Sequence, residues 1–180
     1  ANIITSNIII NNTSSGGGTG LQFGAVTNQN VASGNVIQSN PIGLDLNGMA
    51  GGIIGANFFT GNDAGLNVPF YAYSNEVFLN DFSDNTVNID SDASNYGLGS
   101  DSLLFYTYYN SVYGKSLMGN YYSDYAGSDA DGNGIGDTPH GDATFSDAHP
   151  LAQSPHTTGH YRMHGWSLCS VSGGFGSLFE

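Results

Sequence analysis

Fixed positive charge is nearly missing from this chain. Lys115 and Arg162 are the only two cations in 180 residues, set against 15 Asp and Glu for a formal net charge of −13. Nucleic acid and anionic membrane surfaces are therefore poor partners. Charged residues of any kind make up only 9% of the chain, so solubility falls to Asn, Ser, Thr and Gly, a composition suited to the outside of a cell. Cysteine is down to Cys169, which excludes an internal disulfide and leaves a free thiol or a bond between chains. No apolar run is long enough to span a bilayer, Leu103 to Tyr109 being far too short. No signal peptide stands before the first repeat, so the expectation is a mature or trimmed chain.

What the chain has instead is asparagine at fixed intervals. Asn35-Val36-Ile37-Gln38-Ser39-Asn40 returns as Asn57-Phe58-Phe59-Thr60-Gly61-Asn62 and again as Asn80-Asp81-Phe82-Ser83-Asp84-Asn85. A looser first copy carries Asn2, Asn7 and Asn12. Such self-similarity marks stacked repeats. The short β-type runs have no helical period, so the coils are strands and turns. The fold expected is all-β, a right-handed parallel β-helix. Four apolar columns should line its core: Ile4/Ala32/Ile54/Val77, Ile9/Ile37/Phe59/Phe82, Leu21/Leu44/Leu66/Val87 and Phe23/Leu46/Val68/Ile89. The Asn7/Asn35/Asn57/Asn80 column is expected to form an amide ladder, with Asn tolerating the left-handed corners. Residues 1–118 are read as coils followed by an aromatic cap, with 90–102 as a surface loop and Leu103 to Tyr113 as a last irregular coil or hairpin over the core's end. Tyr106, Tyr108 and Tyr109 in that cluster are candidates for stacking on sugar rings.

Residues 119–152 hold the most specific chemical motif. In Asp129-Ala130-Asp131-Gly132-Asn133-Gly134-Ile135-Gly136-Asp137, the side chains of Asp129, Asp131, Asn133 and Asp137 and the Ile135 carbonyl match the spacing of a calcium loop, with Gly134 at its sharp turn. His140 occupies the place of the closing bidentate Glu. Asp124, Asp142 and Asp147 are the candidates for that missing ligand, and the cofactor expected is a structural Ca2+ that makes this region a C-terminal cap. Asn11-Asn12-Thr13 and Asn12-Thr13-Ser14 are overlapping glycosylation sequons, with Asn11 and Asn12 as acceptors.

Several of these segments together resemble a known family. Asn75-Glu76-Val77-Phe78-Leu79-Asn80-Asp81-Phe82, Gly119-Asn120-Tyr121-Tyr122-Ser123-Asp124-Tyr125, the acidic loop, Asp137-Thr138-Pro139 and Asp147-Ala148-His149-Pro150-Leu151 are similar to the C-terminal half of NosD-like right-handed β-helix proteins. The resemblance covers residues 1–152, with Tyr122 where the family usually has Trp and His140 where it usually has Tyr. It implies a cell-surface or secreted protein of the kind abundant in methanogenic archaea, and a role in carbohydrate binding, sugar hydrolysis or periplasmic copper handling.

Residues 153–180 form the tail. His156, His160 and His164 recur every fourth residue, a spacing that a helix would align for a transition metal, although Pro155 and Gly159 oppose a helix. Trp166 to Ser172 reads as a strand, with Trp166, Leu168, Cys169 and Val171 as candidate assembly residues. Exposed coil edges are templates for pairing, so the leading expectation is a non-enzymatic, extracellular surface protein that self-assembles head-to-tail with copies of itself into a filament, sheath or S-layer-like polymer stabilised by Ca2+. The alternatives are a carbohydrate-binding β-helix module and a NosD-like copper-binding accessory protein. Carboxylate pairs such as Asp81 with Asp84, or Asp63 with Asp84, could cleave sugars, but lyase chemistry on acidic sugars would want more cations than Lys115 and Arg162.

Overall fold

Alternating inward and outward residues, broken every few positions by a corner, leave each coil room for only three short strands. In the computed structural model, which describes residues 1–13, 17–24, 27–92, 96–109, 112–157 and 160–165, these strands stack into three parallel sheets. The first sheet comprises β1 (Ile3–Thr5), β4 (Val31–Ser33), β7 (Ile53–Gly55) and β10 (Glu76–Phe78). The second contains β2 (Ile8–Ile10), β5 (Val36–Gln38), β8 (Phe58–Thr60), β11 (Asp81–Ser83) and β16 (Tyr121–Tyr122). β3 (Thr19–Gln22), β6 (Ile42–Asp45), β9 (Ala64–Val68) and β12 (Val87–Ser91) make the third. The fold is the expected parallel β-helix.

Each corner has two parts, and the asparagine is the second of them. The left-handed residues are Ser6, Gly34, Ala56 and Leu79 at one corner and Asn11, Ser39, Gly61 and Asp84 at the next, all with φ between 55° and 63°. The ladder asparagines follow them and are not themselves left-handed, which corrects the expectation that Asn supplies the turn conformation. Their work is done by the side chain. Asn57 Oδ1 accepts the backbone N–H and the Nδ2–H of Asn35 at 3.0 and 2.9 Å. Asn57 in turn donates its own N–H and Nδ2–H to Asn80 Oδ1, both at 2.9 Å, and Nδ2–H to the Ala32 carbonyl at 2.9 Å. The pattern runs from Asn7 through Asn35, Asn57 and Asn80 to Asn120. A second ladder runs Asn12, Asn40, Asn62 and Asn85. A third begins with Asn2 and Asn30 and is interrupted at Gly52, where a Cβ would lie 2.5 Å from the Met49 methyl. Without an amide at that position, the buried Asn30 Nδ2 has no hydrogen-bond partner.

The first ladder ends on a carboxylate. Asp147 Oδ2 accepts from Asn120 N–H at 2.7 Å, Asn120 Nδ2–H at 3.0 Å and the Tyr122 hydroxyl at 3.1 Å, while Oδ1 accepts from His149 N–H at 3.0 Å. Burial pushes this carboxyl up to about 6 against the pull of those donors. Gly119 is required beside it, since a Cβ there would stand 1.8 Å from Asp147 Oδ1.

Between the sheets the core columns lie largely as the repeats predict. Ile4, Ala32, Ile54 and Val77 are in register, as are Ile9, Ile37, Phe59 and Phe82, the last continued by Tyr122. The rings of Phe59, Phe82 and Tyr122 stack at 4.8 and 5.5 Å with interplanar angles of 6° and 10°. The third and fourth columns need a correction. Ile89 pairs with Leu66, Val87 with Ala64, and Ser91 with Val68. Register counts from the ladder, so the fourth residue after Asn85 matches the fourth after Asn62. Val87 accordingly faces outward and is 45% exposed.

The end of the stack is closed by Leu98, Phe145 and Tyr122, with Tyr96 and Tyr125 packed against them. Tyr96–Leu98 is a strand, β13, paired in parallel with β18 (Phe145–Asp147), which β17 (His140–Gly141) joins antiparallel. The 90–102 segment is thus more than a surface loop. The aromatic segment is a hairpin of β14 (Leu104–Tyr108) and β15 (Val112–Ser116), to which β19 (Tyr161–His164) adds antiparallel. It does not cover the end of the core. Leu104, Tyr106, Tyr108, Tyr161 and Met163 build a second core with Ala56, Phe78 and Leu79 on the coil exterior.

Asn57→Ala removes the acceptor for two Asn35 donors and the donor for two carbonyls. With each stranded buried group costing about 1–3 kcal/mol, urea unfolding is expected to show a loss of at least about 3 kcal/mol. Asp147 gives a distinct pH signature. Its folded value lies above the ordinary 3.8, so between about pH 4 and 6 the folded state holds more protons than the unfolded one, and this group's contribution to stability falls as pH rises. In urea unfolding at pH 4.5 and 7.5, Asp147→Asn is expected to remove that slope, worth about 2 kcal/mol between those two values, and to be no less stable than the wild type at pH 7.5.

Candidate functional site

A cleft in the wall lies where the third sheet's last strand, β12, meets the β17–β18 turn. Adding β16 to the second sheet brings Ser123 and Asp124 beside the corner of the preceding coil. Ser123 N–H donates to the Phe82 carbonyl at 3.0 Å, and the Ser123 hydroxyl accepts from Asp84 N–H at 3.3 Å. Asn88 Nδ2–H then donates to Asp124 Oδ1 at 3.0 Å. From the other side comes the β17–β18 turn. Gly141 has φ 145°, and a Cβ there would lie 2.3 Å from the Phe145 carbonyl oxygen. Asp142 Oδ1 fixes this turn by accepting from Thr144 N–H and its hydroxyl, both at 2.7 Å.

These pieces enclose a cavity of about 310 Å³ edged by Asn85, Asn88, Asp124, His140, Asp142 and Phe145. His140 Nε2 stands 3.6 Å from Asp124 Oδ1, and its ring packs 4.2 Å from that of Tyr122. Burial lowers the imidazole's pKa from the usual 6.5, while Asp124 and Asp142 pull it the other way. The result is a half-buried imidazole beside exposed carboxylates, nitrogen and oxygen donors with room between them for a ligand. The spacing that places His140 twelfth in the acidic loop suggested a lost calcium ligand. Only the strand pairing shows that it faces another site.

The acidic loop is closed by its own hydrogen bonds. Asp129 accepts from Asn133 and Gly134 N–H at 2.9 Å each, Asp131 from Asn133 N–H at 3.1 Å, and Asn133 Oδ1 from Ile135 N–H at 2.7 Å. Gly134 has φ 91°, and a Cβ there would press on the Tyr108 ring at 2.8 Å. Asp137 Oδ2 turns back to accept from the Ser128 hydroxyl at 3.0 Å and Ala130 N–H at 2.8 Å. The three further carboxylates are engaged elsewhere: Asp124 and Asp142 at the cleft, Asp147 at the ladder's end.

Other predicted residues separate. Tyr106 and Tyr108 are buried, the Tyr106 hydroxyl donating to the Asn133 carbonyl at 3.0 Å, and only Tyr109 of the three exposes half its surface. A three-tyrosine sugar platform is therefore not formed, because alternate residues of β14 face the second core. The histidines sit on a turn and a strand, not a helix. His156 lies 5.5 Å from the Phe58 ring, His160 4.7 Å from Tyr109 and His164 5.7 Å from Tyr113. Asp81 is buried beneath Ser154 and Ser83, whose hydroxyls both donate to it. Burial raises its pKa, so Asp81 and Asp84 do not form an open carboxylate pair. Asn12 uses its amide on Asn40 Oδ1 at 3.2 Å, which leaves exposed Asn11 the more accessible sequon. Trp166, Leu168, Cys169 and Val171 lie outside the described residues.

A family model described as periplasmic copper-binding protein (NosD) matches residues 1–127. The chain belongs to the NosD family. That match spans every coil and reaches Asp124, while His140 lies beyond it. No curated protein matches the chain. No helix among the described residues is long and apolar enough to cross a membrane.

The family's metal can be tested against the residues present. Among the described residues, no group of three or more His, Cys, Asp or Glu is arranged to hold a metal ion. Met49, Met118 and Met163 are fully buried, so the described residues offer no exposed thioether to suit Cu(I). His140 Nε2 and Asp124 Oδ1, 3.6 Å apart, bring one imidazole and one carboxylate together, the donor types of a Cu(II) site but fewer of them than such a site takes.

Proposed function

We propose that this chain works outside the cytoplasm as a NosD-type accessory protein, a β-helical wall that holds copper without transforming it. The observation that carries this reading is the family match, which falls on all the ladder-bearing coils. Support comes from the donor chemistry of the cleft, where the half-buried His140 imidazole stands beside the Asp124 and Asp142 carboxylates. The family's periplasmic character supports a place in the periplasm or cell envelope. Copper held by few protein donors exchanges readily, which suits a carrier more than a reaction centre.

Calcium in the acidic loop is a separate, structural element of this proposal. Three oxygen-bearing side chains, Asp129, Asp131 and Asn133, already curl round one turn, as hard-cation loops require. Self-assembly into a filament, sheath or S-layer-like polymer gains no comparable support, since its tail residues fall outside the described part. Glycan binding at Tyr106, Tyr108 and Tyr109 loses two of its three rings to the second core.

Equilibrium dialysis of the whole chain against Cu(II) is expected to retain about one equivalent. A folded chain that retains none would overturn the copper reading. If the loop holds Ca2+, chelation with EGTA lowers the melting temperature and added Ca2+ restores it; an unchanged transition would remove calcium from the proposal.

A further inference from the structure

We propose that the outer face of the β15–β14–β19 sheet is a docking surface for a short acidic protein segment, an extended stretch with carboxylates four residues apart and an apolar side chain midway between them. Lys115 and Arg162, the only fixed cations of the chain, lie on β15 and β19, and strand register brings both to one face. Phe105 of the central strand pairs with Lys115 on one side and His164 on the other, and Thr107 pairs likewise with Tyr113 and Arg162. The alternate residues Leu104, Tyr106 and Tyr108 pack into the second core, so this set faces away from it. Tyr113 is 66% exposed and Phe105 40%. None of the three strands contains Asp or Glu. In a chain of formal net charge −13, that segregation makes a local positive patch. Carboxylates farther away than about 8 Å are largely screened at physiological salt.

Size and chemistry together select the occupant. Strands about 4.8 Å apart that rise about 3.3 Å per residue give this face a footprint of roughly 250 Å², whereas a second folded copy would need about 800 Å². Lys115 Nζ stands over the Phe105 ring, 4.8 Å from its centre, and so covers the ring face on which a sugar would stack. A long polyanion would run beyond the patch into the field of the chain's net negative charge. A short peptide segment meets none of these obstacles. Lys115 and Arg162 are offset by two strand spacings and by two residues along the strands, about 12 Å, which matches the reach from residue i to i+4 of an extended chain. Residue i+2 of such a segment points to the same side and lands over β14, next to the Phe105 and Tyr113 rings, 6.2 Å apart at a 32° tilt. Between the two cations, the Thr107 hydroxyl and His164 Nε2 lie 2.6 Å apart and tie β14 to β19.

The test is an NMR titration of the full chain with the acetylated and amidated peptide Glu-Ser-Leu-Ser-Glu at millimolar concentrations. The amides of β14, β15 and β19 are expected to shift, and the shifts to fade as NaCl is raised. Lys115→Gln and Arg162→Gln should each raise Kd about threefold and the double variant about tenfold, as exposed ion pairs do. The peptide Gln-Ser-Leu-Ser-Gln should bind the wild type about tenfold more weakly than its Glu counterpart, by the same two pairs. Lys115→Gln changes an exposed side chain and stays readable whatever Arg162→Gln does to the fold. Equal binding of the two peptides, an unchanged Kd in Lys115→Gln, or no shift at all would overturn the proposal. So would trigalacturonate shifting these amides where the peptide does not, which would make the face a sugar site. Sedimentation that rises with protein concentration in the wild type but not in Lys115→Gln would assign the face to a second copy and overturn it too.

Discussion

The asparagine that follows each left-handed corner is the interaction on which the rest depends. A coil of about 22 residues with three short strands makes few contacts within itself, so it holds its shape only against its neighbours. The sheets supply hydrogen bonds along straight segments, but the corners leave backbone donors and carbonyls pointing into the wall. Each ladder amide satisfies both kinds of group at once and passes one further bond to the next coil. Non-glycine residues such as Ala56 and Leu79 can then sit at positive φ, a conformation that costs energy wherever its surroundings do not enforce it. Shape and register therefore come from the same side chain.

That wall explains how residues far apart in sequence come to share a cleft. Asn80 and Asn120 are consecutive rungs although 40 residues separate them. The intervening chain leaves the stack, builds β13 and the β14–β15 hairpin, and returns to the same ladder. Returning in register places Asp124 over Asn88. The ladder's end on Asp147 then anchors β18, and with it the hairpin that carries His140. The site is a by-product of ending the stack correctly.

The coil region was legible in the sequence because asparagine spacing is read without knowledge of the partner strands. Two of four core columns followed directly, and the others were displaced by two residues where apolar character was followed instead of distance from Asn85. The acidic loop could be seen from its spacing alone. The cleft could not, since β16, β17 and β12 come from three stretches and their pairing carries no local signature. Tyr106 and Tyr108 illustrate a different loss: period-two alternation marks which residues share a face of β14, but not that this face would be covered by β19 and the coil exterior. The one sign available was His140 in a place where the family resemblance leads one to expect Tyr.

Scarcity of cations leaves the buried carboxylates to neutral donors. Lys115 lies over the Phe105 ring, 4.8 Å from its centre, and Arg162 is in β19. Asp147 and Asp81 are instead surrounded by amide and hydroxyl donors, and desolvation still prevails over those donors in both. These two buried acids thus shift toward the neutral form. A chain with a formal net charge of −13 draws cations toward its surface. The same shortage of lysine and arginine that makes nucleic acid an unsuitable partner makes a metal cation a suitable one.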